Sequence, residues 1–308
     1  MANKQAEFLE QEYSIYGNIF SYMGFPICRD LSDASVDVAV MGIPYDLATS
    51  GRAGTRGGPN GIRQASCNLR WEEKRWPWGF AIADKLNVID YGDVQFESGN
   101  SEHMLELVQA EAAKIIAAGK TLISFGGDHF VTLPLLRAHA KHYGKLALIH
   151  FDAHTDTYKE EVQYSHGTMF YHAPKEGLVD PACSVQVGIR TEYDKQNHEY
   201  LVLDADLVNE QSVAATVAAI KQRVGDSPAY LSFDIDALDP AYAPGTGTPV
   251  VGGLSSNKAM QILRGITELN IVGYDVVEVA PAYDHAEITS LAGASLALQF
   301  LYMHADKK

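Results

Sequence analysis

Short apolar runs alternate along the chain with segments whose apolar residues recur at helical spacing. Seven apolar runs predict strands, at residues 36–46, 86–94, 121–129, 146–151, 184–190, 229–236 and 270–279. Amphipathic spacing predicts helices over residues 101–118, 133–143, 211–224, 256–269 and 286–304. Because parallel strands need long crossover connections, this alternation predicts an α/β fold with a parallel sheet covered by helices on both faces.

The chain is long enough to build a large hydrophobic core. It has 308 residues, of which 46% are hydrophobic, and it contains no fixed-period repeat and no Pro/Ser-rich linker. We therefore predict one domain over residues 1–308, with residues 1–35 as an N-terminal extension that packs on it.

Charge and composition disfavour several classes of function. The formal net charge of −15 would repel phosphate, so nucleic-acid binding is disfavoured, and cationic ligands are weakly favoured. No run of about 18 apolar residues is present to span a membrane, and residues 1–20 do not have the pattern of a secretory signal. The three cysteines are far apart in sequence, which is typical of reduced thiols in a cytoplasmic protein.

Acidic and imidazole side chains follow four of the predicted strands. In a parallel sheet, ligands bind outside the carboxyl ends of the strands, so these side chains are expected at one edge. The groups are Asp128 and His129 after "TLISFGG", the motif "DAHTD" after "LALIHF", Asp234 and Asp236 after "AYLSF", and Glu278 after "NIVGYDVV".

The spacing of these groups predicts a metal centre. In an extended segment, side chains at alternate positions share one face, which would align the acids and histidine of "DAHTD". With His129, four carboxylates and two imidazoles would converge, and such a cluster needs counter-charge. Two dications would balance it, and oxygen-rich sites with imidazole suit Mn²⁺. The residues of this predicted dinuclear manganese centre are His129, Asp152, His154, Asp156, Asp234 and Asp236.

Three motifs resemble the signatures of the ureohydrolase (arginase–agmatinase) family. They are "SFGGDHFVTLP", "HFDAHTDTY" and "SFDIDALDPAYAPGTGTPVVGGL", and the similarity extends through "GIPYDLATSGRAGTRGGPNGIR" and "DVVEVAPAYDHAEIT". The resemblance implies a three-layer α/β/α domain with a mainly parallel sheet of about eight strands. It also implies a homo-oligomer, either a trimer or a hexamer.

The resemblance also implies roles for individual residues. One manganese ion would be held by His129, Asp152, Asp156 and Asp234, and the other by His154, Asp152, Asp234 and Asp236. Asp152 and Asp234 would bridge the ions. Asp156 would move a proton, His166 in "YSHGTMF" would be the proton shuttle, and Glu278 would bind the guanidinium group of the substrate.

The implied reaction is attack of a hydroxide, shared by two metals, on a guanidinium carbon, which releases urea and an amine. Similarity over nearly the whole chain favours agmatine, a small cationic guanidino compound, with putrescine as the amine product. Glu160 or Glu161 could attract the ammonium end of agmatine. The alternatives are guanidinobutyrate, guanidinopropionate or arginine as substrate, a non-catalytic metal-binding relative and, more remotely, a one-zinc amide hydrolase of related fold.

Overall fold

Eight parallel strands form one sheet in the computed structural model, which describes residues 21–159 and 164–308. The strand order across the sheet is β2-β1-β3-β8-β7-β4-β5-β6. The strands are β1 (Val38–Ile43), β2 (Val88–Asp93), β3 (Thr121–Gly126), β4 (Ala147–Phe151), β5 (Val185–Ile189), β6 (Leu201–Asp204), β7 (Ala229–Asp234) and β8 (Ile271–Val277). The central strands are buried on both faces, as a fully covered parallel sheet requires.

Helices cover both faces of the sheet and complete three layers. In the described part of the chain they are α1 (Gly58–Ala65), α2 (Ser101–Ala117), α3 (Thr132–Tyr143), α4 (Met169–Lys175), α5 (Ala205–Glu210), α6 (Val213–Val224), α7 (Ser256–Gly265) and α8 (Ile288–Ala305). Apolar side chains of α2, α3 and α4 form a core with one face. Those of α1, α6, α7 and α8 form a second core with the other face. The predicted three-layer α/β/α arrangement is confirmed.

The predicted strands and helices are present, and four further elements were missed, namely β6, α1, α4 and the six-residue helix α5. Strand β6 has only four residues and lies at the edge of the sheet, where half of its positions are only partly buried. Helix α1 begins in the Gly-rich stretch "SGRAGTRGGPNG", whose glycines weaken the local helical signal. Its glycines allow close packing, since a Cβ on Gly58 would lie 2.7 Å from the Val279 carbonyl oxygen. Helix α4 has only seven residues, too few for a clear helical period.

The described part of the N-terminal extension packs on the outer strand β2. The backbone N–H of Tyr22 donates to the Asp90 carboxylate at 2.8 Å, and Ile27 pairs with Asp90 in a parallel bridge. The ring of Tyr22 is fully buried against Phe125. Among the described helices, none has both the length and the apolar character needed to cross a bilayer.

Candidate metal centre and active site

The predicted site residues meet at the carboxyl edge of the sheet. Asp152 directly follows β4, Asp234 is the last residue of β7, and Glu278 directly follows β8. His129 begins a short 3₁₀ helix after β3, and the carboxylate of Asp128 caps that helix by accepting from Phe130 N–H at 3.1 Å. Asp128 is therefore a helix cap next to the predicted ligand His129.

The side chains of "DAHTD" do not share one face of an extended segment, so the predicted local geometry was wrong. The chain does not continue as an extended strand beyond Phe151 but bends, and the N–H of His154 donates to Asp152 Oδ1 at 2.6 Å. Asp156 then adopts a left-handed backbone conformation, with φ of 51°. Such a conformation costs a non-glycine residue on the order of 1–3 kcal/mol, and it is found mainly at functional sites. A tight bend, rather than strand alternation, therefore brings these side chains together.

Asp234 and Asp236 also meet through a turn. Residues Ile235–Ala237 form a 3₁₀ turn, and the N–H of Asp236 donates to Asp234 Oδ1 at 2.8 Å.

Two groups of ligand atoms lie side by side, with Asp152 between them. His129 Nδ1 lies 3.1 Å from Asp152 Oδ2, 2.9 Å from Asp156 Oδ2 and 3.3 Å from Asp234 Oδ2. His154 Nδ1 lies 3.3 Å from Asp152 Oδ1 and 3.2 Å from Asp236 Oδ2. The two oxygens of Asp152 thus face different histidines, as a bridging carboxylate would.

The orientation of the His129 ring leaves a lone pair among carboxylates. Ser232 Oγ–H donates to Asp275 Oδ1 at 2.7 Å, so the serine oxygen accepts from His129 Nε2–H, which lies 2.8 Å away. In the neutral ring, the fully buried Nδ1 therefore carries no proton and has no hydrogen-bond partner. A lone pair facing three carboxylates is favourable only with a proton or a metal ion between them, and the imidazole and carboxylate groups present fit a metal ion.

The acid–base properties of the cluster support the same conclusion. Burial and the charge of Asp152 raise the pKa of Asp156 to about 7, and burial with neighbouring carboxylates raises the pKa of Asp234 and Asp236. Burial alone lowers the pKa of His129, but the surrounding carboxylates override it and raise that pKa well above its ordinary value. These shifts express repulsion between buried negative charges, which a bound dication would remove.

Glu278 lies beside this cluster with one oxygen occupied and one unpartnered. Its Oε1 accepts from the N–H of His129 at 2.8 Å and from His166 Nδ1 at 2.9 Å. Its Oε2 is buried without a hydrogen-bond partner, near the backbone of Gly247. Glu278 also has a left-handed backbone, with φ of 62°. A strained, buried carboxylate with a spare acceptor is suited to an incoming N–H donor.

His166 is held from its other side by Ser50. The Ser50 hydroxyl lies 2.7 Å from His166 Nε2, and the Ser50 backbone N–H donates to the same nitrogen at 3.0 Å. Burial lowers the pKa of His166, but the adjacent carboxylate of Glu278 prevails and raises it to about 9. The Ser50 N–H favours an unprotonated Nε2, so it opposes the rise in the pKa of His166 that Glu278 causes.

A cavity of about 110 Å³ opens onto these groups. Its lining combines four acidic or imidazole side chains with neutral residues, and none of the described lining residues is Lys or Arg. The lining residues are Ser50, His154, Asp156, Tyr158, His166, Gly167, Asp234 and Thr248. Glu160 and Glu161, which we expected to attract an ammonium group, lie outside the described residues.

A sequence profile of the arginase family matches residues 36–303, which include every residue of this site. The chain belongs to the arginase family. The agmatinase of Serratia proteamaculans (strain 568) is 59% identical over 299 residues, which are 97% of either chain. A solved structure from Burkholderia thailandensis, described as a hypothetical agmatinase, is 48% identical over 96% of either chain, with a TM-score of 0.90. The proclavaminate amidino hydrolase of Streptomyces clavuligerus is 38% identical with a TM-score of 0.89, over 96% of this chain and 99% of its own.

Sequence reasoning missed several residues of this arginase-family site. Ser232 and Asp275 orient His129, Ser50 contacts His166, and His150 donates to Asp152. The sequence did mark His150, Ser232 and Asp275, because polar residues inside otherwise apolar, buried strands must find hydrogen-bond partners. No such signal marks Ser50, which lies in a loop.

Proposed function

We propose that this protein hydrolyses agmatine to putrescine and urea with two bound Mn²⁺ ions. The observation that carries the proposal is the buried, unpartnered Oε2 of Glu278 beside the two groups of metal-ligating atoms. Together they provide an acceptor for a guanidinium group next to a site for divalent ions. The 59% identity with an agmatinase over 97% of the chain supports agmatine as the substrate.

The donor set favours manganese. Both groups of ligand atoms consist of carboxylate oxygens and imidazole nitrogens without a thiolate, and such sets suit Mn²⁺. We assign His129, Asp152, Asp156 and Asp234 to one ion, and His154, Asp152, Asp234 and Asp236 to the other. When bound, such a pair of ions supplies Lewis acidity, which lowers the pKa of water enough to provide a nucleophile near neutral pH.

The remaining chemistry is assigned to side chains of this chain. Glu278 accepts guanidinium N–H groups in a charge-assisted contact and thereby places the guanidinium carbon at the metal centre. The leaving nitrogen gains two protons overall, and both derive from the attacking water. Asp156 and His166, which line the same cavity, are proposed to carry one proton each, so that the amine leaves as its ammonium ion.

The cavity lining favours a substrate without a carboxylate tail. In the part of the chain that the structure describes, no cationic side chain lines the cavity. A carboxylate on guanidinobutyrate or arginine would therefore have no cationic side chain there to pair with. An ammonium tail, as in agmatine, is compatible with this lining.

The proposal extends to the cellular setting and the assembly. The three cysteines, Cys28, Cys67 and Cys183, are free thiols, which supports a reducing, cytoplasmic location. We also propose a homo-oligomer. Sedimentation analysis at several protein concentrations would test the assembly, and a monomer at all concentrations would contradict it.

The decisive experiment is urea release from manganese-loaded protein with agmatine, arginine and 4-guanidinobutyrate compared side by side. We expect kcat/KM to be at least about 100-fold higher for agmatine, since an unmatched buried charge costs several kcal/mol. Equal or greater turnover of a carboxylate-bearing guanidine would overturn the substrate assignment. Absence of urea from every guanidine, with both ions bound, would overturn the reaction.

A further inference from the structure

A row of polar side chains crosses the buried sheet one layer below the metal centre. The strand registers align His150 on β4 with Gln186 on β5 and with Ser232 on β7. They also align Asp275 on β8 with Ser232 and with Ser124 on β3. All five side chains are fully buried among apolar neighbours. We call these residues the polar row. Buried polar groups in a sheet are costly, so a role for each contact is expected.

The amide of Gln186 can have only one orientation. Its Nε2 lies 2.6 Å from the carbonyl oxygen of Thr155, and a carbonyl oxygen can only accept. That atom is therefore the nitrogen of the amide, and Oε1 is the atom that lies 2.7 Å from His198 Nε2. The second hydrogen on Gln186 Nε2 points to His150 Nδ1, at 2.9 Å.

This orientation determines the tautomer of His150. Because Nδ1 accepts from the amide, it carries no proton, and the proton of the neutral ring is on Nε2. Nε2–H then donates to Asp152 Oδ2 at 2.7 Å. The same oxygen faces His129 Nδ1 at 3.1 Å, while Oδ1 accepts from the N–H of His154 at 2.6 Å. Each carboxylate oxygen of Asp152 is thus held in place by a donor.

We propose that Gln186 is a positioning residue for the metal centre: its amide holds His150 in the tautomer that donates to Asp152 and cannot bind an ion through Nε2. His150 belongs to a group of four ligand-type side chains with His129, Asp152 and Asp156, close enough to hold one ion. The Gln186 donor at Nδ1 and the Asp152 acceptor at Nε2 act together to exclude His150 from ligation. The inference depends on the proposed function only in taking Asp152 as the bridging ligand.

Loss of the amide would free the ring. Without a donor at Nδ1, the His150 proton could move to that atom, and Nε2 would turn a lone pair towards Asp152. The carboxylate would lose the contact that orients Oδ2, and the metal centre would gain a competing ligand. Partners that orient metal ligands typically contribute 10- to 100-fold to metal affinity, about the effect expected here.

The test begins with the tautomer in the wild-type, full-length protein. Spectra of ¹⁵N-histidine-labelled protein, recorded without paramagnetic ions, distinguish the two neutral tautomers. The His150→Asn variant identifies the signal of His150. We expect the proton on Nε2. A proton on Nδ1 would overturn the proposal, and this measurement does not depend on whether any Gln186 variant folds.

The second part compares variants by manganese titration. Gln186→Met keeps the side-chain length but removes the amide, and we expect Mn²⁺ affinity to fall about 10- to 100-fold. Under saturating Mn²⁺, kcat should fall more than KM rises, because Glu278 and the cavity lining are unchanged. Gln299→Met is the matched control, since Gln299, on α8, is also buried (5% exposed) but accepts from Trp78 Nε1–H, away from the site. It should bind Mn²⁺ as the wild type does.

Wild-type Mn²⁺ affinity in Gln186→Met would overturn the positioning role, whatever the substrate. Absence of urea release from agmatine by the manganese-loaded wild type would instead overturn the proposed function. The tautomer and the affinity difference would still decide the role of Gln186, so the two failures are distinguishable.

Discussion

His166 Nδ1 lies 2.9 Å from Glu278 Oε1, and this contact joins the residue assigned to proton transfer to the residue assigned to guanidinium binding. The two side chains come from segments 112 positions apart in the sequence. Glu278 raises the pKa of His166, so binding of a guanidinium to the same carboxylate would weaken that effect and lower the pKa again. Substrate binding would thus make His166 a stronger proton donor at the moment when the leaving amine needs one.

Replacing Glu278 should abolish most turnover without removing the metal ions. Glu278→Gln keeps an oxygen for the His129 N–H but loses the negative charge that attracts the guanidinium. We expect kcat/KM for agmatine to fall roughly 10²- to 10³-fold, or about 3–4 kcal/mol of transition-state stabilisation. Glu287→Gln, at an exposed carboxylate bonded to Gln64, is the matched control. Near-normal kinetics in Glu278→Gln, or loss of bound Mn²⁺, would contradict the assigned role.

The pH dependence of kcat/KM should follow the protonation state of the His166 ring. This group is charged below its pKa of about 9 and neutral above it, so kcat/KM, which reflects the free enzyme, should fall as pH rises through about 9. The decline of kcat should begin at a lower pH, because a guanidinium bound to Glu278 lowers the pKa of His166. His166→Asn should lack this decline and have a plateau about 10²- to 10⁴-fold lower. His172→Asn, on α4, should keep the wild-type profile, and an unchanged profile in His166→Asn would exclude His166 as the donor.

Removal of the metal should cost both activity and stability. Chelation is expected to abolish urea release, and added Mn²⁺ should restore it, with about 3 kcal/mol of stabilisation per site when free Mn²⁺ is 100 times its Kd. Thermal unfolding and Mn²⁺ stoichiometry measure these effects. His154→Ala should reduce the bound Mn²⁺ from two ions to one, whereas His142→Ala, on the exposed side of α3, should retain both. Full activity after exhaustive chelation would refute the metal mechanism.

The buried His139 ring should make the free energy of unfolding fall as the pH is lowered. The ring is fully buried on α3 against Tyr230, and burial lowers its pKa to about 4, although its contact with the Leu135 carbonyl opposes this. An unfolded histidine titrates near 6.5, so between about pH 6.5 and 4 the unfolded chain binds more protons than the folded one. Stability should therefore be lost as pH falls through this window, by about 3 kcal/mol in total.

Urea denaturation of the wild type and His139→Leu at pH 7, 5.5 and 4.5 measures this contribution. His139→Leu should be less stable than the wild type at pH 7, because it loses the ring packing and the contact with Leu135. The difference in the free energy of unfolding between the two proteins should narrow at lower pH, since only the wild type loses stability through the low pKa of His139. A constant difference would mean that His139 is not held neutral in the folded protein. His142→Leu, at an exposed position, should follow the wild-type pH dependence.

Local sequence patterns were sufficient to predict the class of fold and the chemistry at one edge of the sheet. Strand and helix periods are local properties, so apolar runs and amphipathic segments were sufficient to predict an α/β sheet covered on both faces. Residue types likewise determine ion preference, since carboxylates and imidazoles without a thiolate favour a hard or borderline dication. The elements that were missed, α1, α4, α5 and β6, are short or Gly-rich, so their local signals are weak.

The contacts between side chains, in contrast, depend on how distant segments of the chain pack together. The bend after Phe151 and the left-handed backbone of Asp156 depend on the surrounding packing, and the extended geometry inferred from spacing was wrong there. Ser50 meets His166 across 116 positions of sequence. Gln186 reaches His150 because β4 and β5 are neighbours in the sheet. Strand order and register are long-range properties that no local period encodes, and the tautomers of the buried histidines follow from them.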